Sequence, residues 1–193
     1  DYRQARATYR EGLSVLARVP HQRAESYLLG GLADLERDLG IFDEAFRLYS
    51  RALDLAGSSE PILRCGILTG LATLRRWEGN YGESIALSQE AVAIADDHGA
   101  AVESVFAQAA LWAARANSSD ASEALMQLDA ITRHLEQHGA HIELLRSLAM
   151  AASAALLCGE TGIAAGYLQS ALRSAQKIGS AQPLAAEVEH TAG

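Results

Sequence analysis

The residues closest to forming a reactive cluster are three histidines in the second half of the chain: His134, His138 and His141. His134 and His138 are spaced to share one helix face, and Glu136 and Glu143 lie nearby, so a metal site is conceivable. Gly139, however, is typical of a residue that ends a helix, which would leave His141 beyond it. Histidine near a helix C-terminus is also favoured by the helix dipole alone. We therefore interpret the cluster as a solvated helix end and predict no metal site.

Other chemical signatures are missing from the sequence. It contains no GxxxxGK[ST] loop, no GxSxG turn, no CxxC pair and no HExxH helix. Cys65 and Cys158 are interpreted as buried, inert thiols rather than redox sensors. The adjacent Asp43 and Glu44 favour the N-terminus of a helix. We predict a non-enzymatic protein without a cofactor.

Composition and charge further restrict the functional class of the protein. The chain of 193 residues is 49% hydrophobic and carries a formal net charge of −8, which disfavours direct binding of a nucleic-acid backbone by this segment. No apolar run approaches the ~20 residues that a membrane helix needs. Two cysteines without framework spacing suit a reducing cytoplasm. The sequence opens on Asp1 without a methionine, so we expect a fragment of a larger cytoplasmic protein.

An internal repeat organises the whole chain. Small residues recur at intervals of 39 or 40 residues, at Ala5, Ala45, Ser84, Ala124 and Ala164. A turn residue stands five positions before each of the last four, at Gly40, Gly79, Ser119 and Gly159. A second series of glycines marks the other helix ends, at Gly57, Gly99, Gly139 and Gly179. Each period therefore holds two helices.

This register predicts an all-α chain of antiparallel helix hairpins. The predicted helices span 1–18, 21–39, 42–56, 60–78, 81–98, 101–117, 120–138, 141–158, 161–178 and 181–190. They group into a single repeat domain over 1–193, with full units at 21–56, 60–98, 101–138 and 141–178. Residues 1–18 and 181–190 are expected to be half-units whose open ends favour self-association.

The pattern from Leu28 to Leu53 resembles a tetratricopeptide repeat, or TPR, through Ala33, Gly40, Phe42, Ala45, Tyr49 and Ala52. The units from Cys65 to Ala95 and from 145 to 178 are similar, whereas the unit at 105–138 departs from the pattern at Trp112 and Ser119. Standard units run ~34 residues. The longer period is similar to the TPR arrays of bacterial signalling ATPases and transcription activators, including the LuxR-type maltose activator and antibiotic-pathway classes. The resemblance implies an α-α superhelix, a TPR-like solenoid.

The resemblance also implies where a partner binds, because the first helix of each unit lines a concave groove in such arrays. The groove positions in the first two units are Tyr27, Asp34, Arg37, Asp38, Thr69, Thr73, Arg76 and Trp77. In the later units they are Phe106, Ala113, Asn117, Arg146, Ser153 and Leu156. This mixture of charged and small apolar residues suits a protein or peptide better than a polyanion or a membrane.

The sequence thus predicts an interaction module, the sensor or scaffold segment of a bacterial transcriptional or signalling regulator. Its ligand is expected to be a protein, a peptide or a small inducer. A constitutive assembly scaffold without ligand switching is the alternative, and a metal-binding accessory domain is a further one.

Overall fold

The computed structural model describes residues 2–118 and 121–181, which form nine α-helices. In chain order these are α1 Tyr2–Leu16, α2 Gln22–Asp38, α3 Phe42–Ala56, α4 Pro61–Trp77, α5 Tyr81–Asp97, α6 Ala101–Ala116, α7 Ala121–Gln137, α8 His141–Leu157 and α9 Thr161–Ala181. The described part of the chain contains no β-strand. The predicted all-α class is confirmed, and the helices begin and end within a few residues of the predicted positions.

The predicted glycine turns end one helix and allow the chain to turn into the next. At Gly40 and Gly79 the backbone dihedral φ is 76° and 81°, in the left-handed region that glycine adopts without a Cβ clash. The prediction for Gly179 is wrong, because α9 continues to Ala181. Of the predicted helix at 181–190, Ala181 belongs to α9 and the rest lies outside the described residues, as does Ser119.

The repeated small residues lie where paired helices meet. Ala45, Ser84 and Ala124 have no exposed surface, and Ala164 is 1% exposed. Close packing joins α2 to α3, α4 to α5 and α8 to α9. A side chain larger than alanine or serine at these positions would separate the two helices of the hairpin. The spacing in the sequence is therefore the spacing of the helix contacts.

Contacts divide the chain into two compact units, Asp1–Leu111 and Trp112–Gly193. In the first unit, called unit 1, a tyrosine of one hairpin packs on a glycine of the next. The Tyr49 ring lies 2.8 Å from where a Cβ on Gly70 would stand, and the Tyr9 ring lies 2.6 Å from the same point on Gly31. Tyr9 and Tyr49 are one repeat apart, so the same contact orders α1 against α2 and α3 against α4.

Two buried polar side chains in unit 1 donate to backbone carbonyls at equivalent positions. The Ser26 hydroxyl donates to the Ala52 carbonyl at 2.8 Å, and the Cys65 thiol donates to the Ala91 carbonyl at 3.3 Å. Between α1 and α2, Arg6 forms an ion pair with the buried Glu36. These bonds fix the helix pairing that the apolar core stabilises.

The second unit, called unit 2, packs α8 between its neighbours. Leu144 and Leu148 of α8 are each 3% exposed, and Leu128 of α7 is fully buried. The Tyr167 hydroxyl of α9 donates to the Leu125 carbonyl of α7 at 3.2 Å. This bond links α9 to α7 across α8. No helix of the described ranges is long and apolar enough to cross a membrane.

Candidate functional site

The predicted groove residues Asp34, Arg37 and Asp38 form a charged cluster at the C-terminal end of α2. The Arg37 guanidinium donates to Asp34 Oδ1 at 2.8 Å and to Asp38 Oδ1 at 2.8 Å. It also reaches the Tyr49 hydroxyl at 3.0 Å, and that hydroxyl donates to Asp34 Oδ1 at 2.6 Å. Arg37 is buried, whereas the Asp34 and Asp38 side chains are 34% and 41% exposed. The cluster thus holds two carboxylates in fixed, accessible positions.

Trp77 joins this cluster from the last turn of α4. The Arg37 guanidinium carbon lies 5.5 Å from the centre of the indole ring, within reach of a cation–π interaction. Phe42, at the start of α3, lies 6.3 Å from the same ring in a tilted arrangement. Trp77 nevertheless remains 39% exposed. The structure therefore places an anchored but accessible aromatic ring beside the two carboxylates.

The two buried arginines of this region differ in their electrostatic surroundings. Burial opposes the charged form of Arg37, but Tyr49, Asp34 and Asp38 outweigh that effect, and the pKa of Arg37 lies above its ordinary value. Burial lowers the pKa of Arg76 to about 10, with Tyr81 acting in the opposite direction and Arg37 adding to the decrease. Both guanidinium groups are charged at neutral pH.

Four other groove predictions in unit 1 fall in two groups. Tyr27 is 66% exposed on α2 and is available to a partner. Thr69, Thr73 and Arg76 are buried, and each threonine hydroxyl donates to the carbonyl four residues earlier in α4. The prediction that these three residues contact a partner is corrected, because they present almost no surface in this structure. Their side chains pack inside unit 1 instead.

The remaining groove predictions are also mixed. Phe106 and Ala113 are buried in α6 and cannot offer a contact surface. The Asn117 amide, directly after α6, donates to the Ala154 carbonyl of α8 at 3.2 Å. Arg146 and Leu156 are exposed on α8, and Ser153 is half-buried with its hydroxyl donating to the Met150 carbonyl. The surface of unit 1 formed by Asp34, Asp38 and Trp77, with Tyr27 two helical turns before Asp34 on α2, is therefore the better-formed candidate.

The histidine region brings two of its three histidine rings together at the end of α7. The rings of His134 and His138 lie 4.2 Å apart, but one His138 nitrogen is bonded to the His134 carbonyl at 2.8 Å. Across the described ranges, no three His, Cys, Asp or Glu side chains converge as a metal ion would require. The structure gives the metal-binding alternative no support.

The two cysteines occupy different environments. Cys65 is 1% exposed, and burial, with a contribution from Glu103, raises its thiol pKa to about 11. Cys158 is half-buried, and its thiol donates to the Ala116 carbonyl at 3.2 Å. The predicted burial is confirmed for Cys65, whereas Cys158 retains some accessible surface.

Thiol labelling should separate the two cysteines. At neutral pH, which is below its raised pKa, Cys65 is protonated, so its thiolate fraction should be roughly 100-fold below that of an ordinary thiol. We expect a disulfide reagent to modify a Cys65→Ser variant at Cys158 in the native state. A Cys158→Ser variant should react only after denaturant is added. Equal native rates for the two variants would contradict this assignment.

Comparison with solved structures identifies the fold. BtubC (BKLC) from P. vanneervenii is similar at a TM-score of 0.62 and 16% identity, covering 95% of this chain and 76% of that one. A kinesin light chain-like protein from Podosopora anserina with nearly identical TPR-like repeats matches in two crystal structures, at TM-scores of 0.54 and 0.53. Both share 17% identity over 92% of this chain and 88% of theirs. The fold is a TPR-like helical repeat.

Searches of family models and of curated protein sequences found no match. The likeness is therefore one of fold, which confirms the predicted TPR-like solenoid class. At this level of identity the TPR-like fold does not carry the partners of those proteins over to this chain.

The structure also contains a groove that sequence reasoning missed. It lies in unit 2 between α7 and α9, has a volume of about 810 Å³, and is floored by Leu144 and Leu148. α7 and α9 are the second helices of their repeat units, and no sequence motif marks the surfaces that line the groove. The exposed Met126 and Ile163 at its rim were the only available sequence signal, and neither is unusual for an amphipathic helix.

Proposed function

We propose that the chain is a non-enzymatic interaction module that binds a protein or peptide partner on the α2–α4 surface of unit 1. The observation that carries this proposal is the combination of an accessible Trp77 with two carboxylates held by Arg37. Exposed aromatic rings that are already anchored give large contact area without a large entropic cost on binding. The fold supports the same class of function, because stacked helix pairs present extended surfaces rather than catalytic clefts.

The chemistry of this surface indicates the kind of partner. Asp34 and Asp38 are oriented before binding, so a lysine or arginine of the partner would meet fixed acceptors. Trp77 would contact an apolar or aromatic side chain next to that basic residue, and Tyr27, two helical turns before Asp34 on α2, would contact the peptide further along. The net charge of −8 favours approach of a basic segment as well. The partner peptide is therefore a short basic-aromatic or basic-aliphatic sequence.

Within its parent protein, we place the module as the sensor or scaffold segment of a cytoplasmic bacterial transcriptional or signalling regulator. The TPR-like fold and the repeat period of 39–40 residues support this role. The proposal includes a small inducer as an alternative ligand to the peptide. It also includes self-association of the chain. A ligand that shifts the melting temperature or the oligomeric state would support the sensor. A partner that binds without either change would identify the constitutive scaffold.

Binding on this surface should depend on Trp77 and Asp38. For a linear peptide selected on the immobilised chain from a display library, Trp77→Ala should weaken binding by about 30-fold, the effect of a hot-spot aromatic. Asp38→Lys should weaken it by roughly tenfold through charge reversal. Fluorescence anisotropy of the labelled peptide measures both changes.

Phe46 provides the matched control for Trp77. Its ring is also 39% exposed and lies 4.2 Å from an arginine side chain, that of Arg75, but it belongs to α3, which contributes no residue to the proposed surface. Phe46→Ala should leave the affinity within about twofold. An equal loss from Phe46→Ala and Trp77→Ala would show that the peptide does not bind where we propose.

A further inference from the structure

The groove between α7 and α9 forms a second candidate surface, separate from the one on α2 and α4. Its walls come from α7 and α9, and α8 supplies the buried floor residues Leu144 and Leu148. All of these residues belong to unit 2. Tyr167 crosses the base of the groove from α9 to α7, where its hydroxyl donates to the Leu125 carbonyl. The groove is therefore built on rigid helices.

The groove is elongated rather than round. Its α7 wall extends from Ala121 to Glu136, a helical rise of roughly 22 Å. Its α9 wall extends from Glu160, immediately before the helix, to Ser174. A channel of about 810 Å³ over this length accommodates a row of side chains from one face of a helix of about four turns. A compact small molecule would fill only part of it.

Polar residues such as Ser122, Gln169 and Ser170 line part of the groove, and the apolar remainder matches the apolar face of such a helix. Leu125, Leu144 and Leu148 lie along its base, and the rim exposes Met126 and Ile163 at 62% and 43%. Methionine adapts its shape to different apolar side chains, which suits a docking rim. Burial of this rim against a partner helix would remove apolar surface from water.

Charges around the groove indicate the charge of the residues beside the apolar face of that helix. Asp129 and Arg133 form an ion pair at 2.6 Å and so neutralise each other. Glu136 and Glu160 line opposite ends of the groove and have no ion-pair partner among the residues that the structure describes, while Arg173 contributes one positive charge. The rim is therefore acidic on balance, and it complements basic residues beside the apolar face of the partner.

We infer that the α7–α9 groove docks an amphipathic α-helix of a partner protein, apolar on one face and basic on its flanks. The inference does not depend on the α2–α4 surface, since the two sites share no residue. It assigns unit 2 its own binding partner and makes the chain a module that can hold two segments at once.

The test uses a display library of helix-favouring peptides of about 16 residues, with flanks and apolar positions randomised. Selection on the intact chain should enrich apolar residues at i, i+3, i+4 and i+7 spacing, with lysine and arginine exceeding acidic residues on the flanks. A selected peptide should bind Met126→Glu and Ile163→Glu at least about tenfold more weakly than the unchanged protein. Both substitutions lie at exposed positions, so the fold should be retained.

Leu172→Glu is the matched control. Leu172 is 66% exposed on α9, the helix that also carries Ile163, but it does not line the groove. Its replacement should leave binding unchanged. The inference would be overturned by a peptide insensitive to Met126→Glu, by equal loss from Leu172→Glu, or by selected flanks that are acidic. It would also be overturned if Met126→Glu dissociated a dimer, because a second copy would then occupy the groove.

Trp77→Ala keeps this test independent of the proposed function. Peptides that dock between α7 and α9 should bind Trp77→Ala with unchanged affinity. If they lose affinity there instead, they occupy the α2–α4 surface, which contradicts this inference and leaves the proposed function standing.

Discussion

Replacing Leu128 by aspartate is expected to unfold unit 2, whereas the same replacement of Leu168 should leave its stability almost unchanged. The two leucines occupy equivalent positions in the repeat. Each lies four residues after the small residue that recurs once per repeat, Ala124 or Ala164. Leu128 has no exposed surface, but Leu168 is 48% exposed. A carboxylate at Leu128 would lie in an apolar interior without a partner, at a cost above about 4 kcal/mol.

Chemical denaturation followed by circular dichroism measures this pair. The Leu168→Asp variant should unfold within about 0.5 kcal/mol of the unchanged protein, as expected for an exposed position. The Leu128→Asp variant should lose the native transition of unit 2 or shift its midpoint to much lower denaturant. Similar losses for both variants would mean that Leu168 is covered in solution, for example through the self-association of the chain.

The second large effect is expected for Arg37→Ala. This change removes the guanidinium that bonds Asp34, Asp38 and the Tyr49 hydroxyl, and it leaves a buried space in unit 1. Breaking a buried ion pair typically costs 3–5 kcal/mol, and the partial exposure of both carboxylates places this case near about 3 kcal/mol. Thermal or denaturant unfolding of unit 1 provides the measurement.

Arg47→Ala is the control for that loss. Arg47 pairs with Glu44 at 2.6 Å, but its side chain is 61% exposed. A solvent-exposed pair one helical turn apart contributes at most about 1 kcal/mol. If both arginine variants lost the same stability, burial of the Arg37 network would not be the reason for its effect.

Much of the architecture could be predicted from the sequence because it is set by local rules. A glycine that must adopt positive φ can be recognised at Gly40 or Gly79, since few other residues tolerate that conformation. The recurrence of Ala45, Ser84, Ala124 and Ala164 predicted the helix contacts, because only small side chains permit so close an approach. The burial of Cys65 followed from its place on an apolar helix face.

The candidate site could be predicted only in part. Asp34, Arg37, Asp38 and Trp77 were named from their positions in the repeat, and the structure brings them together. The same reasoning also named Thr69, Thr73 and Phe106, which are buried. Sequence position determines on which face of a helix a residue lies. How far the side chains on that face are buried depends on the neighbouring helices.

The sequence by itself determined the repeat period, most helix ends and the all-α class, because helical periodicity and glycine turns act over a few residues. Only the tertiary structure decided which of the equivalent positions in the repeat are buried by neighbouring helices, as Leu128 and Leu168 show. It alone revealed the groove between α7 and α9, whose walls are separated in sequence by the whole of α8. The reason is physical: burial and concavity arise from the packing of distant segments, which no local pattern specifies.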